Sequence, residues 1–263
     1  MIAKTGETMK IAAAAAIAAL LFLCYMFWEA HRNRLRRLNL EYADFPAEHG
    51  TLTILFISDI HRRSISDKLL RGLPQKPDVI CIGGDLTEKG VPLERTRDNL
   101  KKLGKIGQVV MVYGNNDPEA GLPNLERILA EEKTVLLRNE SYEVPSASGK
   151  RIHIAGIDEM KFGWDRLEAC LKQPADFRIV LCHNPDIHRQ LNEQSDVRLV
   201  LSGHTHGGQI RLFGFGLYEK GKLHRRAFGD QLISNGYGTT QLPLRLNAPA
   251  EAHFITITGK KNH

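Results

Sequence analysis

Six short β-type apolar runs recur along this chain: Thr53–Ile57, Val79–Ile82, Val109–Tyr113, Ile152–Ala155, Ile179–Cys182 and Leu199–Leu201. Runs that lack a polar alternation predict strands buried on both faces. The segments between them, Pro92–Ile106, Pro123–Lys133, Asp165–Lys172 and Asp186–Gln194, carry helical spacing. Strands that must be covered on two faces, alternating with helices, confine the chain to an α/β layered architecture. Residues 209–263 differ, with many glycines and short alternating segments that end in His253–Thr258. They are expected to be mostly strands of a second sheet packed on the first.

The first 40 residues follow other rules. Ile11–Trp28 is an uncharged apolar run of 18 residues. As a helix it would span about 27 Å, close to one bilayer core. Lys4 and Lys10 precede it, and Arg32, Arg34, Arg36 and Arg37 follow. A cleavable leader requires small residues near the end of its apolar run. Here the run closes on Tyr25-Met26-Phe27-Trp28, and no Arg-Arg pair precedes it. Because the run is apolar all round, an uncleaved membrane anchor is favoured over a buried soluble helix. The expected organisation is an anchor over residues 1–30, a basic juxtamembrane linker over 31–50 and one catalytic domain over 51–260. The bilayer is then a partner, and the cell membrane, crossed once, is the location. The arginines after the anchor lean the domain toward the cytoplasm.

The net charge of +6 is concentrated at this end. Residues 1–40 contribute +4 and residues 41–263 only +2. The basic excess suits anionic headgroups, and the near-neutral remainder argues against extensive nucleic-acid binding. Of the four cysteines, Cys24 lies in the anchor, and Cys81 and Cys182 lie in strand-like runs. Small core residues are expected, rather than a disulfide framework or a cysteine metal pair.

Five of the six runs end in a polar cluster. The clusters are Ser58-Asp59-Ile60-His61, Gly83-Gly84-Asp85, Gly114-Asn115-Asn116-Asp117, His183-Asn184-Pro185-Asp186 and Gly203-His204-Thr205-His206. In open α/β sheets, sites form beyond the carboxyl ends of the strands, so these clusters would meet in one crevice. Asp59, His61, Asp85, Asn115, His183, His204 and His206 together offer carboxylates, imidazoles and an amide oxygen. That set suits borderline divalent ions such as Mn, Fe, Co or Zn. Seven ligands exceed what one ion takes, and a carboxylate shared between two ions accounts for the number. There is no Ser-His-Asp elbow and no phosphate-cradling glycine loop with Lys-Ser/Thr.

The ordered pattern Asp-x-His, Gly-Asp, Gly-Asn-x-Asp, His, Gly-His-Thr-His resembles the calcineurin-like metallophosphoesterase superfamily. Asn235-Gly236-Tyr237-Gly238 and Arg245–Glu251 also resemble its membrane-anchored bacterial YkuE/YaeI-like branch. The resemblance covers roughly residues 51–258. It implies a four-layer α/β/β/α sandwich behind one transmembrane helix. It further implies two divalent ions, one held by Asp59, His61, Asp85 and His206, the other by Asp85, Asn115, His183 and His204, with Asp85 bridging. A hydroxide between the ions would attack phosphorus in line. Some members of this branch act as UDP-2,3-diacylglucosamine pyrophosphatases, so a lipid-linked substrate is implied. Phospholipid headgroups and phosphoproteins are alternative substrates. A non-catalytic interaction module is the alternative outside enzymology, and the seven filled ligand positions speak against it.

One position departs from the family. Asn116 stands where a histidine, assigned to transition-state stabilisation or leaving-group protonation, usually follows the motif asparagine. An amide can donate a hydrogen bond but supplies no proton, which favours substrates with good leaving groups. Asn116 and Asp117 are the candidate catalytic residues, although Asp117 either orients the site or merely caps a turn. Arg62 and Arg63 either clamp a substrate phosphate or lie on a solvated loop. Phe213–Tyr218, followed by Lys220, Lys222, Arg225 and Arg226, is either an apolar lip for an acyl chain or a glycine-broken hairpin. His153, His188, His224 and His253 are expected outside the ligand set.

Overall fold

A computed structural model describes residues 2–260. Two six-stranded sheets face each other. The first has the order β1 (Arg34–Tyr42), β12 (Glu251–Gly259), β2 (Thr51–Ile57), β3 (Val79–Gly83), β4 (Gln108–Val112), β5 (Val135–Leu136). The second has the order β10 (Leu223–Arg226), β11 (Gly229–Ile233), β9 (Leu199–Ser202), β8 (Phe177–Cys182), β7 (Ile152–Ile157), β6 (Glu140–Val144). Strands β2 to β5 run parallel, as do β7, β8, β9 and β11.

The apolar runs explain the layering, because alternate residues of each strand serve different faces. Ile54 and Phe56 join Cys81, Val110, Ile154, Ile179 and Leu201 in the core between the sheets. Leu55 and Ile57 point the other way and pack with α3 (Leu93–Gly104) and α4 (Leu122–Glu131) through Leu100, Leu103, Leu125 and Ile128. On the second sheet, Ala155, Val180 and Val200 are covered by Leu167 and Cys170 of α5 (Leu167–Leu171) and by Ile187. The architecture is therefore the four-layer α/β/β/α sandwich. A short helix, α2 (Asp67–Arg71), completes the first outer layer through Leu69.

Three expectations fail. The second sheet is not built from the C-terminal residues alone. Its centre is β7, β8 and β9, the C-terminal region adds β10 and β11 at one edge, and β12 crosses into the first sheet. Residues 31–50 are not merely a linker, since β1 pairs in parallel with β12 along its whole length, from Arg34 with Glu251 to Tyr42 with Gly259. Leu40 and Tyr42 enter the inter-sheet core, and the Tyr42 hydroxyl donates to Asp230 Oδ2 of the opposite sheet at 2.8 Å. The segment expected as a helix at Asp186–Gln194 is a 3-10 turn at Pro185–Gln190.

The N-terminal helix α1 (Ile2–Ala30) contains a stretch of 25 residues, Gly6–Ala30, long and apolar enough to cross a membrane. Among its described side chains only Met26, Glu29 and Ala30 are buried, so α1 is not packed as a soluble core helix. Its last turn is held by the domain. The Arg245 backbone N–H donates to the Met26 carbonyl at 3.0 Å, and the Arg63 guanidinium donates to the carbonyls of Ala30, His31 and Arg32. Cys81 and Cys182 are buried free thiols, as their apolar runs imply, and Cys170 of α5 is buried and free as well.

Because β1 belongs to the sandwich, Leu40→Ala should lower the unfolding free energy of the full chain by about 2–4 kcal/mol. A residue in an unstructured linker would leave chemical denaturation in detergent unchanged.

Candidate metal centre

The five polar clusters follow the carboxyl ends of β2, β3, β4, β8 and β9 and meet in one place. The backbone bends sharply there. Asp59, His61, Asp85, His204 and His206 all have positive φ, between 50° and 71°. Non-glycine residues avoid this left-handed region, and the strain it stores is typical of functional sites. The turns are tied across strands: Asp59 N–H donates to Gly84 O at 3.0 Å, and Ile60 N–H to Asp85 O at 2.8 Å. The neighbouring glycines permit the close approach. A Cβ on Gly114 would overlap Asp85, and one on Gly203 would overlap Asp59.

The side chains converge with their lone pairs toward common points. His61 Nε2 lies 3.1 Å from His206 Nε2, and His204 Nδ1 lies 3.1 Å from His183 Nε2. His183 Nε2 is 3.4 Å and His61 Nε2 3.6 Å from Asp85 Oδ2, and His206 Nε2 is 3.4 Å from Asp59 Oδ1. The ligand atoms of Asp59, His61 and His206 all lie within 4.8 Å of one another, as do those of Asp59, Asp85 and His183. Asp59 therefore adjoins both halves of the cluster. Asn115 Oδ1 is buried and has no hydrogen-bond partner among the described residues. A buried amide oxygen without a donor, beside paired imidazole nitrogens, fits a cation.

The remaining ring nitrogens are fixed from behind. His183 Nδ1 donates to the Gly83 carbonyl at 2.8 Å, and His61 Nδ1 lies 2.9 Å from Glu88 Oε2. Each leaves Nε2 for the cluster, the usual way in which a protein sets the tautomer of a metal-binding histidine. Glu88 is a functional residue that the motifs did not reveal. Its only sequence signal is a carboxylate three residues beyond Asp85.

Charges are strongly coupled. Burial opposes the charged form of His183, yet Asp85 and Asp59 outweigh it and push its pKa up to about 10. Burial also opposes ionisation of Asp85, but His183, His61 and the Asn116 N–H hold its pKa well below the usual carboxylate range. His206 goes the other way, down to about 3, because burial dominates and His61 and Arg245 add positive charge. Asp117 is raised to about 7 by burial and by the Asp85 carboxylate.

Asp117 does not reach the cleft. Its Oδ2 accepts the N–H groups of Asp85 and Gly114, each at 2.8 Å, and Oδ1 accepts that of Thr87 at 3.0 Å. Both oxygens are occupied by backbone, so Asp117 positions the bridging candidate Asp85 and is not a catalytic residue. Asn116 does line the cleft, and its Nδ2 donates to Asp85 Oδ2 at 2.7 Å. Arg62 pairs with Glu88 and donates to the Lys89 carbonyl. Arg63 is spent on the end of α1, on the Tyr237 carbonyl at 2.6 Å and on the Tyr237 ring face at 3.8 Å. The structure thus gives Arg63 a structural role, neither a phosphate clamp nor a place on a solvated loop. Arg245, also missed as a site-supporting residue, is fully buried and donates to the carbonyls of His206, Asn235, Gly238 and Ala248.

The cleft above the cluster has a volume of about 500 Å³. Its lining includes polar groups, Asp85, Asn116, His204 and His206, and apolar ones, Ile210, Leu217, Tyr218 and Leu242.

Residues 52–208 match the model of the calcineurin-like phosphoesterase family. The chain belongs to that family. This metallophosphoesterase is 42% identical over 257 residues to YpbG of Bacillus subtilis, covering 96% of this chain and 98% of that protein. It is 29% identical over 253 residues to the phosphodiesterase YaeI of Escherichia coli, covering 88% of each. In fold it is similar to a 5'-nucleotidase precursor from Thermus thermophilus, with a TM-score of 0.51 and 14% identity. That match covers 78% of this chain and 55% of the nucleotidase.

Because Asp117 holds the Asp85 turn, Asp117→Asn should weaken Mn²⁺ binding about 10–100-fold while the far-ultraviolet circular dichroism is retained. Calorimetric titration of the full chain with Mn²⁺ reads the change, and unaltered affinity would remove the positioning role.

Proposed function

We propose that this metallophosphoesterase uses two divalent ions to hydrolyse a phosphoester or pyrophosphate bond of a lipid-linked substrate, held to a bilayer by α1. The observation that carries this reading is the mixed lining of the cleft. The metal-ligand cluster lines it together with Ile210, Leu217, Tyr218 and Leu242, and these apolar groups suit a chain attached to the phosphate. Asp59, His61, Asp85 and His206 would hold one ion, and Asp85, Asn115, His183 and His204 the other. Mn, Fe, Co and Zn all suit this donor set. Bound ions would supply charge stabilisation at phosphorus and lower the pKa of a water molecule. The chain supplies the rest: Asp117 and Glu88 fix the ligands, and Asn116 donates to Asp85 from the edge of the cleft. Four arginines after the anchor favour a cytoplasmic catalytic domain.

Asn116 narrows the substrate. No described group at that position supplies a proton to the leaving group, so diphosphates, nucleotides and activated diesters are preferred over alkyl monoesters. UDP-2,3-diacylglucosamine has both features, a diphosphate and acyl chains. Diesters of phospholipid headgroups are the second reading, supported by similarity to a relative named as a phosphodiesterase.

The full chain in detergent should hydrolyse bis-p-nitrophenyl phosphate with Mn²⁺, lose that activity on chelation and regain it on adding Mn²⁺. Asp85→Asn should abolish turnover, and activity that survives both treatments would overturn the two-ion reading. At saturating Mn²⁺, Asn116→His should raise the ratio of alkyl-monoester to activated-diester hydrolysis by about 10²-fold. An unchanged ratio removes the leaving-group argument.

A further inference from the structure

The segment Leu212–Tyr218 exposes more apolar surface than any other described part of the domain. Phe213 is 96%, Leu217 93% and Phe215 82% exposed. The loop is nonetheless built. Arg211 Nη1 donates to Gly207 O at 3.0 Å and to Tyr218 O at 2.6 Å, and Nη2 donates to Gly214 O at 2.7 Å. One guanidinium thus clamps the base of the loop and presents its tip to solvent. Isolated exposed apolar residues need no explanation, but a contiguous held patch does.

Its place in the molecule says what covers it. Arg211 N–H donates to Leu246 O at 2.9 Å, and the adjacent Arg245 N–H donates to Met26 O in the last turn of α1. The opposite rim of the cleft is tied to the same point, because Gln209 Nε2 donates to the carbonyls of Thr240 and Leu242 and Gln209 O accepts from Leu246 N–H. Leu242 is itself 59% exposed. Both rims of the catalytic mouth are therefore anchored beside Met26, inside the apolar run Ile11–Trp28. Where that run leaves a bilayer, the mouth lies at the interface. Basic groups gather in a separate cavity at the foot of α1, where Arg34, Arg36 and Lys220 line a volume of about 240 Å³. The two acids in its wall, Glu29 and Glu251, are paired with Arg32 at 3.1 Å and Arg36 at 3.6 Å. Apolar side chains flanked by cations are the pattern of an interfacial segment on an anionic bilayer.

We propose that the loop Leu212–Tyr218 inserts its apolar tip into the bilayer that holds α1, so that the mouth of the metal cleft opens onto the lipid–water interface. The occupant of the patch is an anionic phospholipid surface. The inference rests on the lipid-linked substrate reading above, and it deepens that reading by stating how such a substrate enters. A lipid phosphate then reaches the ligand cluster by lateral movement, with its acyl chains passing along Leu217 and Leu242 and never crossing water.

The test uses the full chain with Cys24→Ser and Phe213→Cys, labelled with an environment-sensitive fluorophore. The protein is reconstituted in phosphatidylcholine vesicles containing phosphatidylglycerol. A label at Lys76→Cys, at the amino end of β3 and far from the mouth, is the reference. The expected result is strong quenching of the 213 label by a lipid-borne quencher and about tenfold less quenching by iodide than at position 76. Equal iodide quenching at the two positions would overturn the proposal. Shielding from iodide without lipid quenching would mean that a protein surface covers the loop, and would overturn it as well. Phe213→Ser with Phe215→Ser should lower hydrolysis of a vesicle-embedded phosphodiester about tenfold and leave bis-p-nitrophenyl phosphate turnover within about twofold. An inserted label with no lipid hydrolysis would sink the substrate reading alone. Lipid hydrolysis with the label in water would sink the insertion alone.

Discussion

The site depends on left-handed turns at the ends of strands. Five ligand candidates occupy a backbone region that costs each non-glycine residue on the order of 1–3 kcal/mol. In a straight strand Asp59 and His61 would share a face, as would His204 and His206, but each pair would stand side by side along it without converging. The turns instead fold Asp59 and His61, and likewise His204 and His206, back toward one cluster. Backbone hydrogen bonds between neighbouring turns hold this arrangement, as when Asp85 O accepts from both Ile60 and His61. The parallel order of β2, β3 and β4 brings the turns level, and the facing sheet supplies β8 and β9.

Charge is the second constraint, and it follows from the first. Turning carboxylates inward buries Asp59, Asp85 and Asp117 almost completely. A buried unpaired ion costs several kcal/mol, about as much as a small protein can spare. The cluster offsets this partly by its own histidines, which is why His183 rises to about 10 while Asp85 falls. It also divides the burden between Asp85 and Asp117, since burial and the Asp85 carboxylate raise Asp117 to about 7 against the pull of its backbone N–H partners. An arrangement that holds acids and imidazoles at 3.4–3.6 Å is poised for a cation between them.

Much of this was legible in the residues. The central strands announce themselves because burial on both faces removes polar residues from their runs, and each ligand follows such a run directly. What was not legible depended on partners chosen in three dimensions. Asp117 and Glu88 look like turn residues until their acceptor atoms are traced, and Arg63 looks like a phosphate clamp until it is found on α1. The case of β1 is different. Leu38, Leu40 and Tyr42 alternate as a half-buried edge strand should, but the arginines among them read more loudly as a membrane flank. Both readings describe the same residues, since an edge strand can point charge outward while burying every second side chain.

That double use determines how α1 relates to catalysis. Only His31, Arg32 and Asn33 separate the helix from β1, too few for a flexible tether. Two cations close the connection further, a half-buried Arg63 and a fully buried Arg245. Arg63 stands two residues beyond His61 and holds the helix end. Arg245 donates to the His206 carbonyl, and its own N–H holds Met26. His61 and His206, whose Nε2 atoms face each other, are thus each one arginine away from α1. In the proposed bilayer arrangement, a helix joined in this way would set the height and tilt of the domain, and with them the direction in which the metal cleft opens. A free tether would let the cleft sample any approach; this junction commits it to one.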